Sequence, residues 1–340
     1  MALTMTDIAR VAGVSFKTVS RVMNNEENVK TETRDRVMRS VRDLGYVPNT
    51  QARALASGRI KSIGLIVNNS NHAYCSKVLQ ILLKLCREEN YLLFTFSTSE
   101  LKNLSSIIDP IRSNLIGGVV LAGNAQYEYG LISELIRVEM PYVLIEPDEE
   151  HIRNLDGEAL IVQPDNRQGS RSITNYVIDQ GHRRIGYIAS EMRFLYARER
   201  LDGFKDALRE GDISIDDALI VCNASTHRHG YDSAMQLMQA LSPPTVIVCS
   251  ADHLAIGAMN YLQQEGYRIP DDVSVVGFDD TPIAEQFCPS LTTVRQPLEE
   301  ILKRALQLMI RRLDLKKLDC RTVTVATEVI VRESCKNINQ

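Results

Sequence analysis

The sequence predicts an α/β protein in two parts: a head of short helices, then a body of doubly wound parallel sheets. Three observations predict it. Over residues 1–60, apolar side chains recur at helical spacing in closely set segments. From Ile63 onward, short continuous apolar runs alternate with amphipathic stretches. Charge divides along the same line: residues 1–60 carry 10 Lys+Arg against 6 Asp+Glu, the remaining 280 carry 29 against 37. A basic head on an acidic body calls for an anionic partner at the head alone.

In the head, Thr6 is positioned to cap a helix over Asp7–Ala12, with Gly13 where a left-handed residue ends it. Ser15 caps a second helix, Phe16 to about Asn24. Ile8, Val11, Val14, Val19 and Val22 supply the apolar positions of the pair. Thr31 opens a third helix, in which Val37, Val41 and Leu44 share a face, and Gly45 closes it. Two helices across a tight Gly-containing turn, with a third behind, form a helix-turn-helix. Its second helix directs Ser15, Phe16, Lys17, Thr18, Ser20 and Arg21 outward, side chains suited to base edges and phosphates of a major groove. Pro48 then interrupts, and Asn49 is a good cap for a helix Thr50–Ala56 that stops at Gly58. A helix this short is marginal in water and needs a partner to order it. Ala52 and Leu55 lie on one of its faces, and Leu55 is a wedge suited to a minor groove.

In the body the expected strands are 62–67, 91–97, 117–122, 142–146, 159–162, 184–189, 245–250 and 274–279. Helices are expected at Ser76–Glu89, Tyr127–Val138, Arg167–Asp179, Arg198–Arg209, Gly230–Leu241 and Ala255–Glu265. That is too many strands for one sheet, so two doubly wound halves are expected. Ligands of such sheets bind beyond the C-terminal strand ends. Those ends hold Asn68–Tyr74, Gly123–Asn124, Glu146, Glu191–Arg200, Ser250–Asp252 and Asp279–Asp280. Arg200 with Glu146, Asp252 and Asp279 combines a guanidinium with carboxylates, a mix that grips vicinal hydroxyls. Asp280 reads as a turn residue, His182 as structural, and Arg193, Arg198, His227 and His229 as solvated loop charges.

Composition limits the alternatives. With 340 residues, 44% hydrophobic and 24% charged, the chain is ample for two or three domains and wholesale disorder is excluded. No apolar run approaches the ~18–20 residues of a membrane span. The start, MALTMTDIAR, lacks the layout of an export signal, so a cytoplasmic protein is expected and an exported solute-binding protein is the weaker alternative. Seven scattered cysteines without a CxxC pair argue for reduced thiols, and against a zinc or disulfide framework. Neither GxGxxG nor GxxxxGK[ST] occurs, and no nucleophile or metal-ligand set converges, so no enzyme, cofactor or metal is expected.

The run TDIARVAGVSFKTVSRVMNN, then VKTETRDRVMRSVRDLGYVPNTQARALASGRIKSIGLIV, closely resembles the head of the LacI/GalR family of bacterial transcription regulators. The body resembles that family's effector core, of periplasmic sugar-binding-protein fold, through DQGHRRIGYIA, RLDGFKDAL, GAMNYLQQEGYRIPDDVSVVGFDD and SLTTVRQP. The resemblance implies recognition at Phe16, Lys17 and Arg21, and a hinge helix inserting Leu55 at the centre of a palindromic operator on double-stranded DNA. It places the head at 1–48, the hinge at 49–60, a first core half at 61–162 plus 293–318, and a second at 163–292 plus 319–335. It implies a homodimeric repressor whose effector, a sugar, phosphosugar or nucleobase, meets Arg200 and Asp279, with Glu146, Tyr74, Asn124 and Asp252 around it. The family's tetramer-forming leucine-heptad tail is not seen after TEVIVRES, and a homodimer is the expectation, with a higher oligomer left open. Two positions depart from the family pattern: Ala251 stands where Asn usually precedes Asp252, and Ser225 where an aromatic usually stacks on the ligand.

Overall fold

The computed structural model describes residues 3–23, 26, 28–46, 61–68, 73–100, 104–113, 115–123, 125, 130–147, 159–314 and 321–339. The chain divides into two compact units, Met1–Ile60 and Lys61–Gln340.

The first unit holds α1 (Met5–Ala12), α2 (Phe16–Met23) and α3 (Thr31–Asp43). The cap of α1 is Thr4, two residues earlier than the sequence suggested. Thr4 and Asp7 form a reciprocal capping box, leaving Thr6 exposed within the first turn. The Asp7 carboxylate at position N3 selects Thr4, because only a hydroxyl three residues upstream can complete that box. Gly13 (φ 64°) ends α1 in the left-handed conformation, as expected. Ser15 caps α2, its Oγ accepting from the Thr18 amide at 3.1 Å. Ile8, Ala9, Ala12, Val19, Val22 and Val37 form the core. Val11 does not join it and is 57% exposed. The inward stripe of α1 runs through Ile8, Ala9 and Ala12, and Val11 lies beside that stripe on the solvent side.

The second unit contains two parallel sheets. The first sheet uses β1 (Ser62–Val67), β2 (Leu92–Ser97), β3 (Gly118–Ala122), β4 (Tyr142–Ile145), β5 (Leu160–Pro164) and β11 (Thr322–Val325), in the order β11-β5-β4-β3-β1-β2. One face packs under α4 (Ala73–Glu88) and α12 (Leu298–Asp314). The other packs under α5 (Ser105–Arg112) and α6 (Leu131–Arg137). The second sheet uses β6 (Ile185–Ser190), β7 (Ile220–Ala224), β8 (Val246–Cys249) and β9 (Ser274–Val276), in the order β7-β6-β8-β9. It lies between α7 (Asn166–Asp179) with α8 (Leu195–Glu210) on one face, and α9 (His227–Met238) with α10 (Asp252–Gln264) on the other. Burial on both faces is why these strands read as unbroken apolar runs. Helices α7 and α8 approach closely at Gly203, where a Cβ would stand 2.1 Å from the Arg167 carbonyl oxygen. Among the described residues, no helix is long and apolar enough to cross a membrane.

Two expected boundaries shift. The strand near the C-terminus, β11, pairs with β5 in the first sheet, although 319–335 was expected in the second half. Conversely β10 (Thr293–Arg295), expected in the first half, bridges from Thr292 to Val276 and from Arg295 to Asp279, and pairs with β12 (Glu328–Ile330). The reason is geometric. The chain crosses between halves before α12 and again after β11, so each crossing segment pairs with the sheet edge nearest it. The helix expected at Tyr127–Val138 is described only from Leu131, and α11 (Pro282–Gln286) is a short turn between the crossings and β9.

Candidate functional site

The first turn of α2 leaves Ser15, Phe16 and Lys17 exposed, while Thr18, Ser20 and Arg21 are half-buried. This follows from Val19 and Val22 facing the core, which turns the 16–17 side of the helix outward. The Ser15 and Thr18 hydroxyls lie 2.9 Å apart, engaged with one another. Arg21 pairs with Glu26 at 3.6 Å. Asn24, Asn49, Ala52 and Leu55 fall outside the described residues.

In the second unit, the strand ends bring Arg200, Glu146, Asp279 and Tyr74 together. Arg200 on α8 is 2% exposed. Its Nε donates to Asn166 Oδ1 at 2.9 Å, and one terminal nitrogen donates to the Ser250 carbonyl at 2.7 Å and to Asp279 at 3.1 Å. The other terminal nitrogen faces Glu146 Oε1 at 3.7 Å, longer than a hydrogen bond. The guanidinium lies over the Phe278 ring, 3.7 Å from its centroid, and 5.0 Å from that of Tyr196. Every one of its planes and edges is therefore fixed except the edge toward Glu146.

The carboxylates are held by unusual backbone. Glu146 follows β4 with φ 53°, and Asp279 and Asp280 follow β9 with φ 119° and 56°. Non-glycine residues in this region are uncommon and recur at functional sites. Asp279 also accepts from Gln296 at 2.7 Å. Asp280 binds Arg295 and Arg332 at 2.7 and 2.6 Å, a pairing with two guanidinium groups in place of the turn role read from sequence. Burial pushes the Glu146 carboxyl up from 4.5 to about 7, against the downward pull of Arg200. Burial likewise raises Tyr74, with Glu146 adding to the shift, and lifts Tyr196 to about 12.

Asp252 does not belong to the ligand-facing set. It is 0% exposed, and its oxygens accept from the Thr281 amide (2.7 Å), the Thr281 hydroxyl (2.8 Å) and the Thr293 hydroxyl (2.6 Å). Its position at the start of α10 put it at a strand end, but the carboxylate turns inward to hold the 278–281 loop. Asn124 lies outside the described residues. His182 is buried between Thr245 (2.9 Å) and the Lys336 carbonyl (3.2 Å), the structural role expected. Of the loop charges, Arg193 pairs with Glu191 at 2.7 Å, His229 meets Ser225 at 3.1 Å, and His227 meets Asn260 at 2.7 Å.

Sequence reading missed Tyr196, Asn166 and Gln296. Tyr196 sits four residues before Arg200, one turn away on the same helix face, and that spacing was the available signal. Asn166 and Gln296 carried none, because each reaches Arg200 or Asp279 through the tertiary fold.

The raised Glu146 carboxyl has a measurable consequence. Between pH 4.5 and 7 the folded protein keeps a proton that the unfolded chain releases. Raising pH from 5 to 8 therefore costs stability through this group, on the order of 2–3 kcal/mol. Glu146→Gln should flatten that part of the profile, so that its denaturant midpoint falls less between pH 5 and 8 than the parent's. An equal fall in both proteins would contradict the account.

A helix-turn-helix head, with a two-sheet body whose strand ends converge on a buried guanidinium and carboxylates, defines a DNA-binding regulator with a small-molecule site. The chain belongs to the LacI family of bacterial regulatory proteins. The profile of that family matches residues 4–49, and a periplasmic binding protein-like domain matches 174–335. The ribose operon repressor of Haemophilus influenzae is 32% identical over 97% of this chain and 98% of its own. A solved complex of the transcriptional regulator CelR with cellobiose is 27% identical, with TM-score 0.70, covering 98% of this chain and 99% of that one. The Lac repressor dimer bound to operator and the anti-inducer ONPF aligns with TM-score 0.78 over 99% of this chain and all of that one. At 21% identity, it speaks for the fold alone. The protein is accordingly a transcription regulator with an effector-binding core, and the reading as a transport protein is set aside.

Proposed function

We propose that this regulator is a cytoplasmic homodimer that represses transcription from a palindromic operator, and that a neutral polyhydroxylated effector, a sugar, binds at Arg200, Glu146 and Asp279. The observation that carries the effector class is the 3.7 Å separation between Arg200 and Glu146. A hydroxyl there accepts from the guanidinium and donates to the carboxylate at once. Two carboxylates flank one guanidinium already engaged by Asn166, Ser250 and Asp279, so a phosphate would face net negative charge. The named relatives support the class: one is a repressor of a ribose operon, another was solved with cellobiose. With Ser225 at the position of the usual stacking aromatic, the tyrosines Tyr74 and Tyr196 remain as aromatic surfaces near Arg200.

The test is a thermal-shift and calorimetric screen of the full chain against neutral pentoses, hexoses and disaccharides beside their phosphate esters. A neutral sugar should raise the unfolding midpoint, since a ligand that binds only the folded state stabilises it by mass action. Stabilisation by phosphate esters alone would overturn the effector class.

On the DNA side, Thr6, Ser15, Phe16, Lys17, Thr18, Ser20, Arg21 and Asn24 are assigned to the head's contacts, and Asn49, Ala52 and Leu55 to the hinge. A hinge segment too short to hold a helix alone amplifies a small displacement of the body into a change of operator affinity. Leu55→Ala should weaken binding to an operator selected from random duplexes by at least about tenfold, while calorimetry of effector binding stays at the parent's value. Unchanged operator affinity in a gel-shift titration would remove Leu55 from the contacts.

A further inference from the structure

A cavity of about 80 Å³ lies at the rim of the second sheet opposite the Arg200 site, where β6 and β7 begin. Its floor is apolar, made by Phe204 and Leu208 of α8 with Ile213, Leu219 and Ile220. Phe204, Leu208 and Leu219 are buried, while Ile213 and Ile220 are half-buried. A turn at the end of α8 shapes this well. Asp212, with φ 53°, reverses the backbone, and the Ile213 amide donates to the Leu208 carbonyl at 2.8 Å. The segment that follows is thereby folded over the end of the helix. Exposed Arg183 and Asp216 complete the lining, so the well opens to solvent between charged groups. Interiors elsewhere hold few voids larger than a water molecule, and an open apolar well with a few polar groups at its mouth is the usual form of a ligand pocket.

The charges at the mouth are unequally committed. Arg184 donates to the Ser242 carbonyl and pairs with Asp216 at 3.3 Å. Among the described residues, Arg183 donates only to the Gly211 carbonyl, at 3.5 Å, the long limit of a hydrogen bond. One uncommitted guanidinium beside an apolar well suits a molecule with one anionic end and one apolar end. We propose that this cavity is a second ligand site, separate from the sugar site, for a short branched-chain monocarboxylate. The carboxylate takes the fork of Arg183, and the alkyl tail covers Phe204 and Leu208. Asp216 at the same mouth disfavours a dianion such as a phosphate ester. Volume limits the tail: an engineered apolar cavity of roughly 150 Å³ holds benzene, so about 80 Å³ holds roughly four carbons. Phe204 and Leu208 follow Arg200 one and two turns later on α8, so one helix carries groups of both sites.

The test titrates the full chain with isovalerate, read by ligand-detected NMR and by calorimetry. Saturable binding at millimolar concentration is expected. Isovaleramide, with the same tail and no charge, should bind at least about tenfold more weakly, the worth of a charge-assisted pair. Arg183→Ala should keep the parent's thermal midpoint, because that side chain is exposed, and should weaken isovalerate by the same factor. Ile213→Phe, which fills the well, should abolish binding; if that variant does not fold, the amide and Arg183→Ala decide alone. The proposal falls if isovalerate does not saturate, if the amide binds as tightly, or if Arg183→Ala keeps the parent's affinity. None of those results bears on the sugar site, which stands or falls by its own screen.

Discussion

Arg200→Ala should abolish effector binding and lower the stability of the body by on the order of 3 kcal/mol. The side chain is 2% exposed, and its removal takes a donor or a counter-charge from several groups at once. Asn166 Oδ1 and the Ser250 carbonyl lose their donor. Glu146 and Asp279 are left near one another without the charge between them. The face of Phe278 loses the guanidinium that covers it at 3.7 Å. A buried carboxylate robbed of its counter-charge costs more than the pair contributed, which is why truncation hurts more than replacement. Arg200→Lys should fall between: an ammonium keeps the charge but cannot donate to Asn166, Ser250 and Asp279 with the fixed fork of a guanidinium. Chemical denaturation gives the stability, and calorimetry with the sugar found by the thermal-shift screen gives the affinity. An Arg200→Ala protein that binds that sugar within about threefold of the parent would refute the placement of the site.

How much of this was legible in the sequence depends on how far each residue's role is set by its neighbours in the chain. Helices of the head were legible because Ile8, Val19, Val22 and Val37 repeat at helical spacing and because Gly13 and Ser15 carry cap chemistry that acts within four residues. Even there, Thr4 displaced Thr6 as the cap, since both are hydroxyl residues near the helix start and only the Asp7 side chain decides between them. The convergence of Arg200, Glu146 and Asp279 was legible from topology, because parallel sheets gather their strand ends at one rim. What the pattern could not supply was the direction of a side chain at that rim. Asp252 and Asp279 both follow buried strands, yet one faces inward and the other joins Arg200. That β11 joins the first sheet while β10 pairs with β12 in a small antiparallel ladder was hidden for the same reason: strands of three and four residues carry too little periodicity to name their partners.

The inward turn of Asp252 makes it the second most sensitive position. Its carboxylate accepts from the Thr281 amide and from the hydroxyls of Thr281 and Thr293, tying the start of α10 to the loop after β9 and to β10. That loop carries Asp279 and Asp280, both at positive φ, and such backbone persists only when its surroundings over-determine it. Burial and the nearby Asp279 push the Asp252 carboxyl upward, so its value lies in accepting hydrogen bonds more than in bearing charge. Asp252→Ala leaves the buried Thr293 hydroxyl without an acceptor, at about 1–3 kcal/mol, and frees the half-buried Thr281 amide and hydroxyl toward water, so it should destabilise the body by on the order of 2–3 kcal/mol. Asp252→Asn keeps one acceptor oxygen and the volume, so it should fold with a smaller loss. Asp279 keeps Arg200 and Gln296 in that variant but its loop is less firmly anchored, so affinity for the sugar should fall several-fold, as the cost of a loop that must be ordered on binding. The two variants separate support from recognition: Asp252→Ala is read by its denaturant midpoint, Asp252→Asn by calorimetry at a temperature where it is folded. An Asp252→Asn protein that binds the sugar as tightly as the parent would show that the loop keeps its shape without this anchor, and that Asp280, through Arg295 and Arg332, suffices to hold it.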